Sequence, residues 1–297
     1  MNIHLFGSTS PVGLSYLKIL ETSGTYKNIF RYSHIKKNLN FFDLCDSDNC
    51  ELLEKESPSI VISFAPIWLF AKFLNDTFNN NSDIFSNVKG FIVCSSSSSL
   101  TKKFSTNKFD INLSKKLVDS EQQIIKISRD LDKKCIILQP SLIYGTIFGK
   151  RDKNISKIIK TLRIFPFILL PKDTGLRQPI HISQLAKVFF HYTKEISMNS
   201  ISKYYSSMQL IGGDQEISYY KMIETLKKKL NKKGIKIRCI LITIPNRLFL
   251  FLLSPLIIFS PKWFSAIERL SADLSKFKKV HEITKEEIQP FPVEPYY

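Results

Sequence analysis

One short stretch near the amino terminus carries the clearest chemistry in this chain. An apolar run, Ile3-His4-Leu5-Phe6, leads into Gly7-Ser8-Thr9-Ser10-Pro11-Val12-Gly13, and an amphipathic segment follows. Glycines that bound a turn let an anion approach backbone N–H groups, and the helix start beyond the turn favours negative charge. A dinucleotide pyrophosphate is the anion such a turn suits. Two substitutions mark it: Ser10 stands where a middle glycine would be, and Pro11 removes one N–H donor.

The elements that must position this turn follow from the apolar pattern. Strands are expected at Asn2–Phe6, Asn28–Tyr32, Ser59–Phe64, Gly90–Cys94 and Cys135–Leu138. Helices are expected between them at Pro11–Glu21, Trp68–Phe78 and Ser114–Leu131, with Pro11 tolerated in a first turn. Strands alternating with helices imply a parallel sheet covered on both faces. The expected fold class is therefore α/β, a Rossmann doubly wound parallel sheet. Beyond Tyr144-Gly145 the alternation loosens. Ile155–Ile164 and Tyr219–Leu230 read as helices, and Phe165–Pro171 as an apolar, proline-bounded loop. Ile180–Ile182, Met208–Ile211 and Ile237–Ile244 read as strands, with Ser183 as the cap of a following helix. The expected organisation is a core over residues 1–150 and a smaller α/β substrate lobe over 151–297, some of whose segments return to the core. Leu248–Phe259 is apolar almost all round but shorter than a membrane span, so a buried or interface helix pair is expected, with peripheral membrane contact as the alternative.

Composition narrows the function classes. The formal net charge is +17 over 297 residues, but the lysines are spread along the chain and no nucleic-acid module is present. No nucleic-acid partner is expected. The 5 cysteines lack framework spacing, which fits a reducing, cytoplasmic setting, and no Cys/His spacing argues for a metal. The amino terminus has no signal-peptide pattern.

Several segments in a set order resemble the extended short-chain dehydrogenase/reductases, in their NAD-dependent epimerase/dehydratase (nucleoside-diphosphate-sugar epimerase) branch. They are Gly7–Gly13, Ser63-Phe64-Ala65-Pro66, the serine run Ser95–Ser99, and Ser114-Lys115 with Glu121. Gln139-Pro140-Ser141-Leu142-Ile143-Tyr144-Gly145, Arg177-Gln178-Pro179-Ile180-His181-Ile182 and Ile211-Gly212-Gly213 complete the set. The resemblance implies that Gly7, Ser10, Pro11, Val12 and Gly13 cradle the pyrophosphate of NAD or NADP. It places Asp43 and Leu44 beside the adenine, with Phe64, Ala65 and Pro66 on the adenosine side. Ser95 joins the cofactor site, and Pro140 and Ile143 face the nicotinamide. The second strand ends in Arg31-Tyr32-Ser33 rather than in a carboxylate, which favours NADP over NAD through Arg31 and Ser33.

The same resemblance implies a nucleotide-sugar substrate. Asn154 and Arg177 stand at its diphosphate, where a guanidinium fork donates in pairs. A homodimer through the Ser114–Leu131 helix is a further implication. The family's catalytic set is a Tyr-x-x-x-Lys pair with a serine. Ser97 and Lys115 match two of these positions, with Lys115 also on a cofactor ribose. The tyrosine position is Ile111, and no tyrosine lies between Tyr32 and Tyr144. Thr101, Lys103 and His181 are the other candidates for proton transfer. The expected activity is thus oxidoreductase-type chemistry at a sugar carbon with a non-standard acid/base group. The alternative is a catalytically inactive NADP(H)-binding scaffold.

Overall fold

A computed structural model of the chain describes residues 1–26, 28–33, 44, 57–103, 105, 107–201, 205–255, 267 and 269–296. The amino-terminal half builds a parallel sheet. Its strands are β1 (Asn2–Phe6), β2 (Asn28–Tyr32), β3 (Ser59–Ser63), β4 (Val88–Cys94) and β5 (Lys134–Pro140). Between them run α1 (Pro11–Ser23), α2 (Ile67–Asn80), the short α3 (Ser98–Thr101) and the long α4 (Lys108–Asp130). β1, β3 and β5 are buried along their whole length, as a sheet covered on both faces requires.

The second half feeds both the sheet and a separate lobe. It opens with the short strands β6 (Ile143–Tyr144), β7 (Thr146–Ile147) and β8 (Lys150–Arg151). Then come α5 (Ile155–Ile164), β9 (Phe167–Pro171), β10 (Leu176–Arg177), β11 (Ile180–His181) and α6 (Ile182–Ser197). β12 (Ser206–Gly212), β13 (Ile217–Ser218), α7 (Tyr219–Lys232), β14 (Ile240–Ile244), α8 (Asn246–Leu253) and β15 (Lys278–Lys279) follow. β12 and β15 join the sheet, giving seven parallel strands in the order β15-β12-β5-β4-β3-β1-β2. This is the doubly wound α/β sheet that the alternation predicts.

Three apolar clusters hold the layers. α1 and α6 pack one face of the sheet through Tyr16, Leu20, Leu185 and Phe189, and Tyr16 Oη meets Thr193 Oγ1 at 2.8 Å between them. α2 and α4 cover the other face through Phe70, Leu74, Leu117 and Ile124. The lobe has its own core, built from Ile155, Ile159, Leu170, Leu226 and Leu230.

Some local expectations change. α4 begins at Lys108, six residues before Ser114, because Asn107 Oδ1 accepts the Phe109 N–H at 2.8 Å and starts the helix there. Phe165–Pro171 is not a loop: Phe167–Pro171 pairs in parallel with β14. Ile182 belongs to α6 rather than to a strand, and His181 rather than Ser183 is the N-cap. Leu248–Phe259 is not a buried pair over its described part. α8 seats Phe249 in the protein but leaves Leu248, Leu250, Phe251 and Leu252 exposed. Leu256–Phe259 lie outside the described residues.

Candidate functional site

A cleft of about 630 Å³ opens at the carboxyl ends of β1, β2, β3 and β4. In an open parallel sheet this is where ligands bind. Gly7, Thr9, Ser10, Pro11 and Val12 form one wall, with Ser33 and Leu44 at one end. Phe64, Ala65, Pro66 and Leu69 form the opposite wall, Cys94, Ile143 and Ile182 the floor, and Lys150–Asn154 the rim.

The turn explains its own sequence. Gly7 has φ +70°, and a Cβ there would stand 2.6 Å from the Ala65 backbone nitrogen. Only glycine allows both the left-handed conformation and this approach of two strand ends. Ser10 is the N-cap of α1, its Oγ accepting the Gly13 N–H at 3.0 Å, and its carbonyl accepts the Leu14 N–H at 2.8 Å. Pro11 has no N–H, so Val12 supplies the remaining donor of the first turn. A cation stands over the same turn: Lys150 Nζ donates to the Thr9 carbonyl at 2.8 Å. Lys150 comes from the β7–β8 hairpin, whose tip residues Phe148 and Gly149 both have positive φ, the geometry of a tight twisted turn. A helix start and one ammonium group thus face the same turn.

The rim is ordered by Asp152. Its carboxylate accepts the N–H groups of Asn154 at 2.7 Å, Ile155 at 2.6 Å and Gly145 at 3.3 Å. It therefore fixes the start of α5 and sets Arg151, Lys153 and Asn154 around the mouth of the cleft.

The expected site residues fall into two groups. Gly7, Ser10, Pro11, Val12, Ser33, Leu44, Phe64, Ala65, Pro66, Ile143 and Asn154 all line the cleft. The others do not. Gly13 sits behind the turn. Arg31 is exposed on β2, and Pro140 is buried at the end of β5. Ser95 Oγ donates to Glu121 Oε1. Gln139 Nε2 donates to the same oxygen at 2.9 Å and to Ser99 Oγ at 2.8 Å, so Ser95 belongs to a buried polar network. Burial pushes the Glu121 carboxyl above its ordinary range. Ser97 is half-buried beyond β4, its N–H donating to the Pro140 carbonyl at 3.0 Å. Lys115 is exposed on α4 and borders a separate shallow hollow with Trp68 and Asp119. Asp43 lies outside the described residues.

Arg177 departs from its expected role at a substrate. It is buried, and its guanidinium donates to the carbonyls of Leu176 at 2.7 Å, Ala272 at 2.6 Å and Arg269 at 2.5 Å. These carbonyls occupy the fork a diphosphate would need. Arg269 in turn reaches Asp110 Oδ2 at 2.5 Å, and Lys102 Nζ reaches Asp110 Oδ1 at 2.7 Å. Burial alone would raise the Asp110 carboxyl, but the Lys102 and Arg269 cations overcome it and hold it at about 2. Arg177 and Asp110 thus tie the segment around residue 270 to the core.

The titratable candidates are equally committed. His181 Nε2 is 3.0 Å from the Pro295 carbonyl, which can only accept, so this nitrogen carries the proton. Its Nδ1 then accepts from Ser183 Oγ at 2.7 Å, and burial lowers its basicity. Tyr144 is buried, its hydroxyl accepting the Val293 N–H at 2.8 Å, and burial raises its pKa. Burial pushes the Cys94 thiol up to about 12, so it stays protonated. Among the described residues the cleft lining contains no Tyr, His or Glu. Ile111, at the tyrosine position, is on the exposed side of α4.

Sequence reasoning did not find Thr9, Leu69, Cys94, Lys150 or Ile182. Lys150 alone had a local signal, the Phe148-Gly149 turn between two short runs.

Comparison with solved structures places this geometry. A nucleotide-sugar complex, MoeE5 with UDP-glucose and NAD, superposes with a TM-score of 0.63 over 98% of this chain and 94% of its own, at 13% identity. A UDP-galactose 4-epimerase superposes with a TM-score of 0.61 over 82% and 86%, at 11% identity. The chain has the fold of the nucleotide-sugar epimerases. MlghC, a GDP-mannoheptose C4 reductase from Campylobacter jejuni with NADP bound, shares it with a TM-score of 0.59 over 82% and 88%, at 14% identity. No protein-family profile matches the sequence, and no curated protein does. The fold implied by the motif order is therefore present.

Proposed function

We propose that the chain holds NAD(P) in this cleft and acts on a nucleotide sugar placed against it. The observation that carries the reading is the meeting of Gly7, Val12 and Lys150 around one turn at the carboxyl ends of the strands. The Val12 N–H and the Lys150 ammonium would hold the pyrophosphate. Phe64, Ala65, Pro66, Ser33 and Leu44 would border the adenosine, and Ile143 the nicotinamide. Bound there, the nicotinamide supplies or accepts a hydride at a sugar carbon. No carboxylate closes β2 among the described residues and Arg31 is exposed at that edge, which supports NADP over NAD. Asn154, with Arg151 and Lys153 beside it, suits the diphosphate of the sugar nucleotide. Ser97, three residues beyond β4 at the start of α3, is the candidate to orient a substrate hydroxyl. The neighbours solved with NAD and UDP-glucose, and with NADP, support this reading.

A second reading is favoured by one observation. The carboxylate of the described cleft lining, Asp152, is taken up by three backbone N–H groups and its thiol, Cys94, is held protonated by burial, which fits a dinucleotide-binding protein without turnover. Incubation with UDP- and GDP-sugars and NADP+ or NADPH, followed by proton NMR of the sugar, separates the two. A changed sugar supports the enzyme. A thermal shift with dinucleotide but no change in any sugar supports the binder. No shift with any dinucleotide contradicts both.

A further inference from the structure

The lobe carries an apolar face that its own core does not use. In the β9–β14 ribbon, Ile168, Leu170 and Leu241 point into the lobe core. The paired residues Phe167 and Ile240, with Ile242 beyond, stand exposed on the opposite face. α8 packs beside β9 and adds Leu250 and Phe251, the latter 74% exposed, and Phe165 precedes the ribbon, also exposed. Contiguous exposure of large apolar side chains marks a contact surface.

The charge around this face says what covers it. Exposure alternates along the chain into β14, with Ile237, Cys239 and Leu241 inward and Lys236, Arg238, Ile240 and Ile242 outward. Two cations therefore continue the apolar row directly. Lys160 on α5 and Arg247 on α8 are exposed as well. None of these four has an ion-pair partner among the described residues. The sequence has no Asp or Glu from Lys153 to Lys172 or from Thr225 to Ile267. An apolar centre bordered by these four cations, with Asp173 the acidic side chain nearest α8 among the described residues, complements a layer that is anionic outside and apolar beneath, which is the arrangement of a lipid surface.

We propose that this face docks the protein on an anionic membrane surface. Phe165, Phe167, Leu250 and Phe251 enter the boundary between headgroups and acyl chains, while Lys236, Arg238 and Arg247 pair with the headgroups. The contact is interfacial: among the described residues no helix is long and apolar enough to cross a membrane. It is independent of the cleft reading.

Co-sedimentation of the full chain with vesicles tests it, using phosphatidylcholine alone and a phosphatidylcholine–phosphatidylglycerol mixture. The expected result is pelleting with the mixture only, weakened by added salt. Phe251→Ser and the pair Lys236→Glu with Arg238→Glu each reduce binding by more than about tenfold, with unchanged thermal melts because all three side chains are exposed. Absence of pelleting, pelleting indifferent to phosphatidylglycerol, or pelleting retained by both variants overturns the proposal. So does a wild-type dimer in light scattering that Phe251→Ser converts to monomer, which assigns the face to a second copy of the chain.

Discussion

Ser10 Oγ accepts the Gly13 N–H at 3.0 Å, so a side chain at the wall of the cleft satisfies a first-turn donor that lies behind it. The same contact caps α1, whose next residue, Pro11, has no donor to lose. Ser10 therefore serves the helix first and the ligand second. Replacing it separates the two roles. Ser10→Ala should destabilise the protein by about 1 kcal/mol, and Ser10→Gly by only a few tenths. Ser10→Gly should also bind NADPH at least as tightly as the wild type, because the cleft wall loses only a side chain whose hydroxyl is already turned to the helix. Chemical denaturation and a fluorescence titration of the two variants check both halves.

In the proposed cofactor site, Lys150 is the charge that would make up for the donor Pro11 lacks. Its ammonium stands on the Thr9 carbonyl, over the turn and away from the core. Lys150→Ala should weaken dinucleotide affinity by about tenfold, the size of one lost charge-assisted contact. Lys150→Arg should keep most of the affinity. Thermal melts of the unliganded variants should match the wild type, so a difference in titration isolates the ligand.

Arg177 tests whether its buried guanidinium serves structure or substrate. Removing it takes a charged donor from the carbonyls of Leu176, Ala272 and Arg269 and leaves a cavity where the buried guanidinium stood. Arg177→Ala should lower stability by roughly 3 kcal/mol. Sugar-nucleotide affinity of the folded variant should stay within about twofold of wild type, below the loss expected from removing a charged contact. Denaturation curves read the first quantity, and titration at low temperature the second.

Acid should weaken the protein in two separable windows. His4 is fully buried on β1, and burial lowers its pKa from 6.5 to about 4. The unfolded chain therefore takes up a proton first, and this contribution to stability, complete above pH 6.5, is lost as pH falls to about 4. Asp110 acts lower down. Its carboxyl is held at about 2 against 3.8 unfolded, so its stabilisation, on the order of 2 kcal/mol, is complete above the unfolded value and lost as pH falls through about 2. His4→Phe should flatten the upper slope alone and Asp110→Asn the lower slope alone. Urea midpoints measured against pH read both.

The sheet was legible because each core strand is an apolar run bounded by turn residues, from Ile3–Phe6 to Cys135–Leu138. The glycine turn and the Phe64-Ala65-Pro66 wall were legible for the same local reason. What stayed hidden depends on partners distant in sequence. The first turns of α4 read as polar because Asp110 is buried by Lys102 and Arg269, the latter far along the chain. Phe167–Pro171 has prolines at its edges and becomes a strand only through β14. Arg177 matched a motif position, yet its three acceptors are backbone carbonyls whose placement no spacing reveals. Lys150 is far from Thr9 in sequence and meets it on the exposed side of the turn, so the contact emerges only once the β7–β8 hairpin is folded over it.

The central claim is that the cleft beyond Gly7 binds a nicotinamide dinucleotide, and an equilibrium titration with NADPH and NADH, followed by nicotinamide fluorescence, tests it most directly. Saturable binding of NADPH, tighter than that of NADH and weakened in Lys150→Ala, is the expected result. Absence of saturable binding to either dinucleotide, or binding indifferent to Lys150, would contradict it.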